Sequence, residues 1–170
     1  MQKTLNWYEH VDLLNTALAN DGAFLVVEDA TKRPNAMTIG WGQVGIIWSR
    51  PMFTVLVRRS RYTHSCLLEK DAFTVSVPAR GRMSAELAFC GSRSGRDVNK
   101  AEACGLSFVA GRIVSTPVIA GCSLYYECKI VLRKELAASD FSSAEILDKF
   151  YHDGDHHMVV IGEIVAAYVA

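Results

Sequence analysis

The chain has no excess charge of either sign: 18 lysines and arginines stand against 18 aspartates and glutamates in 170 residues. That removes the general electrostatic case for nucleic acid, so basic residues count only where they cluster. Paired cysteine motifs are lacking too. The five cysteines, Cys66, Cys90, Cys104, Cys122 and Cys128, are odd in number and none has CxxC spacing, so neither a disulfide framework nor a zinc site is indicated. No apolar run is long enough to span a bilayer, and the opening MQKTLNWYEH has no signal-peptide core. The expectation is a soluble cytoplasmic protein with no membrane and no nucleic-acid partner. The GxSxG elbow, the P-loop and HExxH are also missing, which leaves a hydrolase or kinase without visible machinery.

What is present is an ordinary globular composition, half apolar and about a fifth charged, long enough for one domain over residues 1–170 with a real core. Trp7, Val11, Leu14 and Leu18 recur at helical spacing, with Asn6, Glu9, Asp12 and Asn15 between them. They predict an amphipathic helix over about 6–19, ended near Asn20-Asp21-Gly22. Strands are expected at Ala23 to Val27, Asn35 to Gly42, Met52 to Arg59, Phe73 to Val77, Cys122 to Leu132 and His157 to Val169. Short helices are expected at Arg61 to Lys70, Arg82 to Phe89 and Asn99 to Cys104, and a polar loop at Cys90 to Asp97. From Cys122 to Leu132 the apolar residues alternate with Ser123, Tyr125, Glu127 and Lys129, predicting an antiparallel strand with one wet side. The last strand is apolar on both faces, as barrel closure or a subunit interface requires. With no βαβ alternation, a mainly β fold follows, an antiparallel barrel with short helices.

The stretch from Asn35 to Thr63 carries most of the chemistry. Ala36, Thr38, Gly40 and Gly42 fall on one side of a pleat and Met37, Ile39 and Trp41 on the other. A face with so little side chain lets a flat ligand approach the backbone. Gly40 to Gly45 reads GWGQVG, the letters of the dinucleotide fingerprint, but Ile46-Ile47-Trp48-Ser49-Arg50-Pro51 follows. A helix does not open there, so the fingerprint has no pyrophosphate-binding N-terminus. Arg58, Arg59, Ser60, Arg61 and Thr63 then bring guanidiniums and hydroxyls together, which suits a phosphate. Ser60 or Thr63 is placed to cap the helix that follows. A second loop, Ser92 to Asp97 with Lys100 behind it, can grip the same ligand from another side. Trp41 and Trp48 are large enough to stack on a conjugated ring or to pack in the core. The run Tyr151 to His157 holds three histidines and two aspartates. Neighbours on a strand point to opposite faces, so His156 and His157 do not share one ion, and no metal is expected.

In order, these motifs resemble the flavin reductase-like, FMN-binding split-barrel family, in its flavoredoxin branch. The carriers are Asn35-Ala36-Met37-Thr38 with Gly40-Trp41, Trp48-Ser49-Arg50-Pro51, Arg58 through Thr63 and Phe73 to Pro78. Cys90-Gly91, Ser94-Gly95-Arg96-Asp97 with Lys100, and Gly154-Asp155-His156-His157 leading to Ile161-Gly162-Glu163-Ile164 complete them. The resemblance implies a six-stranded antiparallel Greek-key split barrel, a homodimer, and FMN held non-covalently near the dimer interface. By similarity Met37, Thr38, Ile39, Gly40 and Trp41 line the ring, where backbone donors would stabilise the reduced flavin. Arg58, Ser60, Arg61 and Thr63, with Arg96 and Lys100, take the phosphate. His157 is the candidate near the flavin, in a register uncertain by one with His156. Where the classical flavin reductases have a serine- and threonine-rich run, this chain has Gly40-Trp41-Gly42-Gln43. The implied activity is an FMN-dependent oxidoreductase taking electrons from NAD(P)H, bound transiently over the flavin, or from a redox protein. A non-enzymatic FMN carrier and a split-barrel module for another ligand, such as haem, remain open.

Overall fold

The computed structural model describes residues 6–170. Helix α1 (Val11–Ala19) leads into strands β1 (Ala23–Glu28), β2 (Pro34–Ile39), β3 (Gly42–Ile47) and β4 (Arg50–Arg58). Helix α2 (Tyr62–Glu69) and strand β5 (Ala72–Val77) follow, then helices α3 (Ser84–Ser92) and α4 (Lys100–Cys104). An arm carries the short strands β6 (Phe108–Val109) and β7 (Val118–Ile119). The chain ends with β8 (Leu124–Glu135), α5 (Ala144–Phe150) and β9 (His157–Val169).

Seven strands form one antiparallel sheet in the order β2-β1-β5-β8-β9-β4-β3. Its two edge strands, β2 and β3, are consecutive in the chain and joined only by Gly40 and Trp41. Two linking residues reach roughly 10 Å at most, so the sheet must curl until its edges stand side by side. The edges meet without pairing, and the result is a barrel open along one seam.

Alternate residues of each long strand point inward. Leu25 and Val27, Met37 and Ile39, Phe53, Val55 and Val57, Phe73 and Val75, Tyr126 and Cys128, and Met158 and Val160 form one buried cluster. Phe53 sits edge-on to Phe73 and Tyr126, at centroid distances of 6.4 and 5.3 Å. The interior is thus filled by side chains. Leu14 of α1 is fully buried against the same core, with Ala17 and Leu18 beside it. A second cluster lies outside the wall, where Phe24, Val26 and Ala36 meet Leu87 and Cys90 of α3.

Several details differ from the sequence expectation. The sheet has seven strands where six were implied, because Gly42–Ile47 forms an edge strand paired with β4. The strand expected to run to Gly42 ends at Ile39. The β3–β4 turn is Trp48-Ser49, with φ of 53° and 58°. A two-residue hairpin needs positive φ at both positions, which normally selects Asn-Gly; holding non-glycine residues there costs on the order of 1 kcal/mol each. Helix α3 runs to Ser92, so Cys90 and Gly91 are helical and not loop. Neither Ser60 nor Thr63 caps α2: its N-cap is Arg61, with no side-chain cap bond.

The side of β8 expected to be wet is covered over half its length. Tyr125 and Glu127 are buried under the β6–β7 arm. The Glu127 carboxylate accepts from the amides of Arg112, Ile113 and Val114 at 2.6–2.9 Å, and from Tyr168 Oη at 2.7 Å. Burial pushes the Glu127 pKa up, but these donors outweigh it and hold the carboxyl below its ordinary 4.5.

Replacing Glu127 by Ala takes the acceptor from three amides, that of Val114 buried, and from the buried phenol of Tyr168, at an expected cost of about 3 kcal/mol. Because the folded pKa is depressed, the carboxylate's contribution is full above the unfolded value. It is lost as pH falls through the folded one. Urea unfolding of wild type and Glu127→Ala at neutral pH should differ by that amount, and the gap should narrow in acid.

Candidate functional site

The seam creates the largest cavity described, about 250 Å³, lined by Met37 to Trp41 with Leu56, Arg58, Arg61 and His157. Since Phe53, Val55 and Val57 point into the barrel, Leu56 and Arg58 lie on its outer wall. Arg58 pairs with His157 across the β4–β9 ladder, which puts His157 on the same outer face. Of the two adjacent histidines, His157 lines the cavity. His156 instead stacks on Tyr151 at 5.1 Å and 15°. A depression between α1 and the 78–82 loop holds only about 40 Å³, room for little more than water.

Trp41, 42% exposed, forms one wall of the cavity. It packs edge-on to Phe150 at 5.1 Å and tilted against His157 at 5.2 Å. His157 is buried, and its Nδ1 lies 2.7 Å from Tyr151 Oη. Burial, reinforced by the nearby Arg58 guanidinium, pushes the His157 pKa down to about 4, so the ring is neutral at physiological pH. Arg58 donates to the carbonyls of Asp155 and Phe150 at 2.7 and 2.8 Å, and lies 5.3 Å over the Tyr151 ring. It therefore anchors the 150–157 loop as well as lining the cavity.

A second cavity of about 200 Å³ adjoins, lined by Ser60 to Thr63, Ser92 to Gly95 and Lys100. Arg61 lines both cavities. Its fork donates to the carbonyls of Gly91 and Cys90 at 2.7 and 3.0 Å. Lys100, also buried, donates to the carbonyls of Ala36 and Cys90 at 2.7 and 3.1 Å. Burial lowers the pKa of both cations. Thr63 Oγ1 accepts from Asn35 Nδ2 at 2.9 Å, leaving its own proton without an acceptor among the described residues. Gly95 is obligatory for packing, because a Cβ there would collide with the Asn35 carboxamide and stand 2.9 Å from the Tyr62 ring.

The structure thus brings Met37, Thr38, Ile39, Gly40, Trp41, Arg58, Arg61 and His157 around one cavity, and Ser60, Arg61, Thr63 and Lys100 around the next. Arg96 lines neither; its guanidinium sits 5.2 Å over the Tyr62 ring and donates to the Ser60 carbonyl at 3.3 Å. Ser60 is partly committed, donating from Oγ and from its amide to Asp155 at 2.6 and 3.2 Å. The small-residue face is not open to a ring, as the sequence had implied. Ala36 is buried under α3, and Thr38 Oγ1 donates to the Leu87 carbonyl at 2.5 Å. A Cβ on Gly42 would stand 3.0 Å from the Thr54 carbonyl oxygen. Of the four, only Gly40 has room beside it, with nothing nearer than the Leu18 carbonyl at 3.8 Å. Leu56 was legible as the residue two before Arg58 on one strand face. Tyr151 carried no signal, since its role depends on a contact across the 151–157 loop.

The comparisons with known proteins agree with this geometry. An Archaeoglobus fulgidus protein named only as uncharacterized is 32% identical over 130 residues, 76% of this chain and 72% of its own. The flavoredoxin of Methanosarcina acetivorans is 27% identical with a TM-score of 0.65, covering 88% of this chain and 68% of that one. An FMN-binding protein of Thermus thermophilus, solved with bound 1-cyclohex-2-enone, is 25% identical with a TM-score of 0.65, covering 86% and 68%. The family model for the flavin reductase like domain matches residues 18–170, and with it the curled sheet, the seam and the cationic loops find their place: the chain belongs to the flavin reductase like domain family.

Proposed function

We propose that this protein is an FMN-binding oxidoreductase that passes electrons from NAD(P)H or a redox protein to flavin or another small acceptor. The observation that carries the reading is the pair of adjoining cavities sharing Arg61, one walled by Trp41, Leu56 and the 37–41 strand with Arg58 and His157 opposite, the other lined by cations and hydroxyls. A flat ring with a phosphate tail matches that division of chemistry. The amides of Tyr62 and Thr63, in the first turn of α2, have no acceptor within the chain among the described residues, and they suit a phosphate oxygen. FMN-binding and flavoredoxin relatives support the same choice of ligand.

Bound FMN would supply the redox chemistry itself. The residues of the chain supply position and field. The Met37–Trp41 backbone offers donors and acceptors at the ring's edge, and Arg61 neutralises phosphate charge where the two cavities join. The packed barrel wall excludes water from one side, so the second reactant must come from the opposite one. Homodimerisation belongs to the proposal as well. The β3–β4 hairpin exposes Ile46 and Trp48, at 58% and 60%, on an unpaired sheet edge, and a second copy would cover it. A cytoplasmic setting fits five free thiols.

The reading is tested first by the absorption spectrum of freshly purified protein and by titration with FMN and riboflavin. Flavin bands and tight FMN uptake are expected; a Soret band, or refusal of FMN, would favour the haem or other-ligand module. Arg61→Ala should weaken FMN by about 10–100-fold, the range for losing charge-assisted hydrogen bonds, with little effect on riboflavin. Arg58→Ala should weaken both alike, because it frees the loop that carries His157. Steady oxidation of NADH or NADPH with added flavin or ferric acceptor is expected of a reductase; holoprotein inert to both nucleotides would instead be an electron carrier.

A further inference from the structure

Beside the cavity at the seam lies a cluster of rings that the proposed function does not use. Tyr151 is buried between Phe141, at 5.0 Å, and His156, at 5.1 Å, with Arg58 over one face. Its hydroxyl reaches one partner, Nδ1 of His157, at 2.7 Å. The imidazole's other nitrogen, Nε2, has no hydrogen-bond partner among the described residues, and the ring lines the cavity. The charged and titratable groups facing His157 are Arg58 from β4 and Asp155 and His156 from its own loop.

The direction of the Tyr151–His157 bond follows from what each alternative leaves unmade. If Nδ1 carried the proton and donated to the phenol, the buried phenolic proton would have no acceptor. If the phenol donates to Nδ1, every buried proton in the pair is satisfied and only an oxygen lone pair is left over, the cheaper omission. Burial raises the Tyr151 pKa, so the phenol keeps its proton. His157, its pKa lowered to about 4, stays neutral with its single proton on Nε2. The tautomer at the cavity is therefore set by a residue that does not line it.

We infer that Tyr151 is a positioning residue, fixing His157 as a neutral Nε2–H donor aimed into the cavity and so selecting ligands that present a hydrogen-bond-accepting oxygen there. Such a ligand is a carbonyl, carboxamide or other oxygen-bearing reactant seated beside Trp41. This rests on the cavity being the reaction site of the proposed oxidoreductase, but the tautomer itself does not.

Long-range proton–nitrogen correlation spectra of ¹⁵N-labelled protein, without added flavin, read the tautomer directly. Wild type is expected to show His157 protonated on Nε2, and Tyr151→Phe, which keeps the ring contacts, to show a mixture. FMN affinity of Tyr151→Phe should stay within about twofold, while the rate of flavin reduction by NAD(P)H falls about tenfold, the scale of one well-placed hydrogen bond. In a His157→Gln background, Tyr151→Phe should have no further effect on that rate, since a packing role would persist there and a positioning role would not. An Nδ1–H tautomer in wild type, an unchanged tautomer in Tyr151→Phe, or an undiminished effect in the His157→Gln background overturns the inference. Failure of the wild type to bind FMN overturns the cofactor reading alone, and the spectra still decide this one.

Discussion

A two-residue link sets the architecture. Gly40 and Trp41 join strands at opposite edges of a seven-stranded sheet, and a span that short leaves the sheet no option but to curl. Once curled, alternate side chains of every long strand converge on one interior, and aromatic rings fill it. Among the described residues the interior is packed with side chains. The space for chemistry lies at the seam, on the outer wall, beside the link that created it. The cavity lining follows from that: the backbone of 37–41 on one flank, and the outward residues Leu56, Arg58 and His157 of the β4–β9 ladder on the other.

The electrostatics of the site come from how its cations are held. Arg58, Arg61 and Lys100 are each tied to two backbone carbonyls, and the carboxylate nearest to Arg58, Asp153, stands 4.0 Å away and is largely exposed. Carbonyl dipoles orient a cation without cancelling its charge, whereas a buried carboxylate would do both. The chain as a whole is neutral, yet this region keeps a fixed positive field with its donors already in place. Such preorganisation costs no rearrangement when an anion arrives. It also explains why Arg61 and Lys100 can serve two ends at once, clasping the end of α3 and β2 while lining the second cavity.

The sequence made the strand order along the chain and the arginine cluster legible because both are local signals. Short apolar runs bounded by turn residues mark β1, β4 and β5, period-two alternation marks β8, a run apolar on both faces marks β9, and guanidiniums crowded at a strand end are visible as such. The misses share a different cause. β3 went unread because its hairpin turn, Trp48-Ser49, has none of the residues that positive φ favours. The buried half of β8 was read as wet because Glu127 is satisfied by amides 13 to 15 residues away, and a carboxylate in sequence carries no mark of what will solvate it. Thr38 and Ala36 looked like open ground because α3, which covers them, lies some fifty residues later. The choice between His156 and His157 needed the ladder register, which fixes the outward residue as the one opposite Arg58.

The placement of the site on the wall, and not in the barrel, constrains what can react there. A flat ligand laid against β4 and β9 has one face toward packed protein and the other toward solvent or a partner surface. Any second reactant must approach from that open side, beside Trp41. No βαβ unit exists among the described residues to bind a dinucleotide on its own account, so recognition of the second reactant falls to the few groups at the cavity that can still make bonds. Arg58 and Arg61 are largely committed to carbonyls, and the backbone of 37–41 would face the first ligand on the proposed reading. His157, held by Tyr151 through one nitrogen and unbonded at the other, keeps directional capacity to spare, as does the indole N–H of Trp41 on the same wall. On the proposed reading, discrimination at this wall would fall in part to that imidazole, and its orientation depends on a phenol one layer behind it.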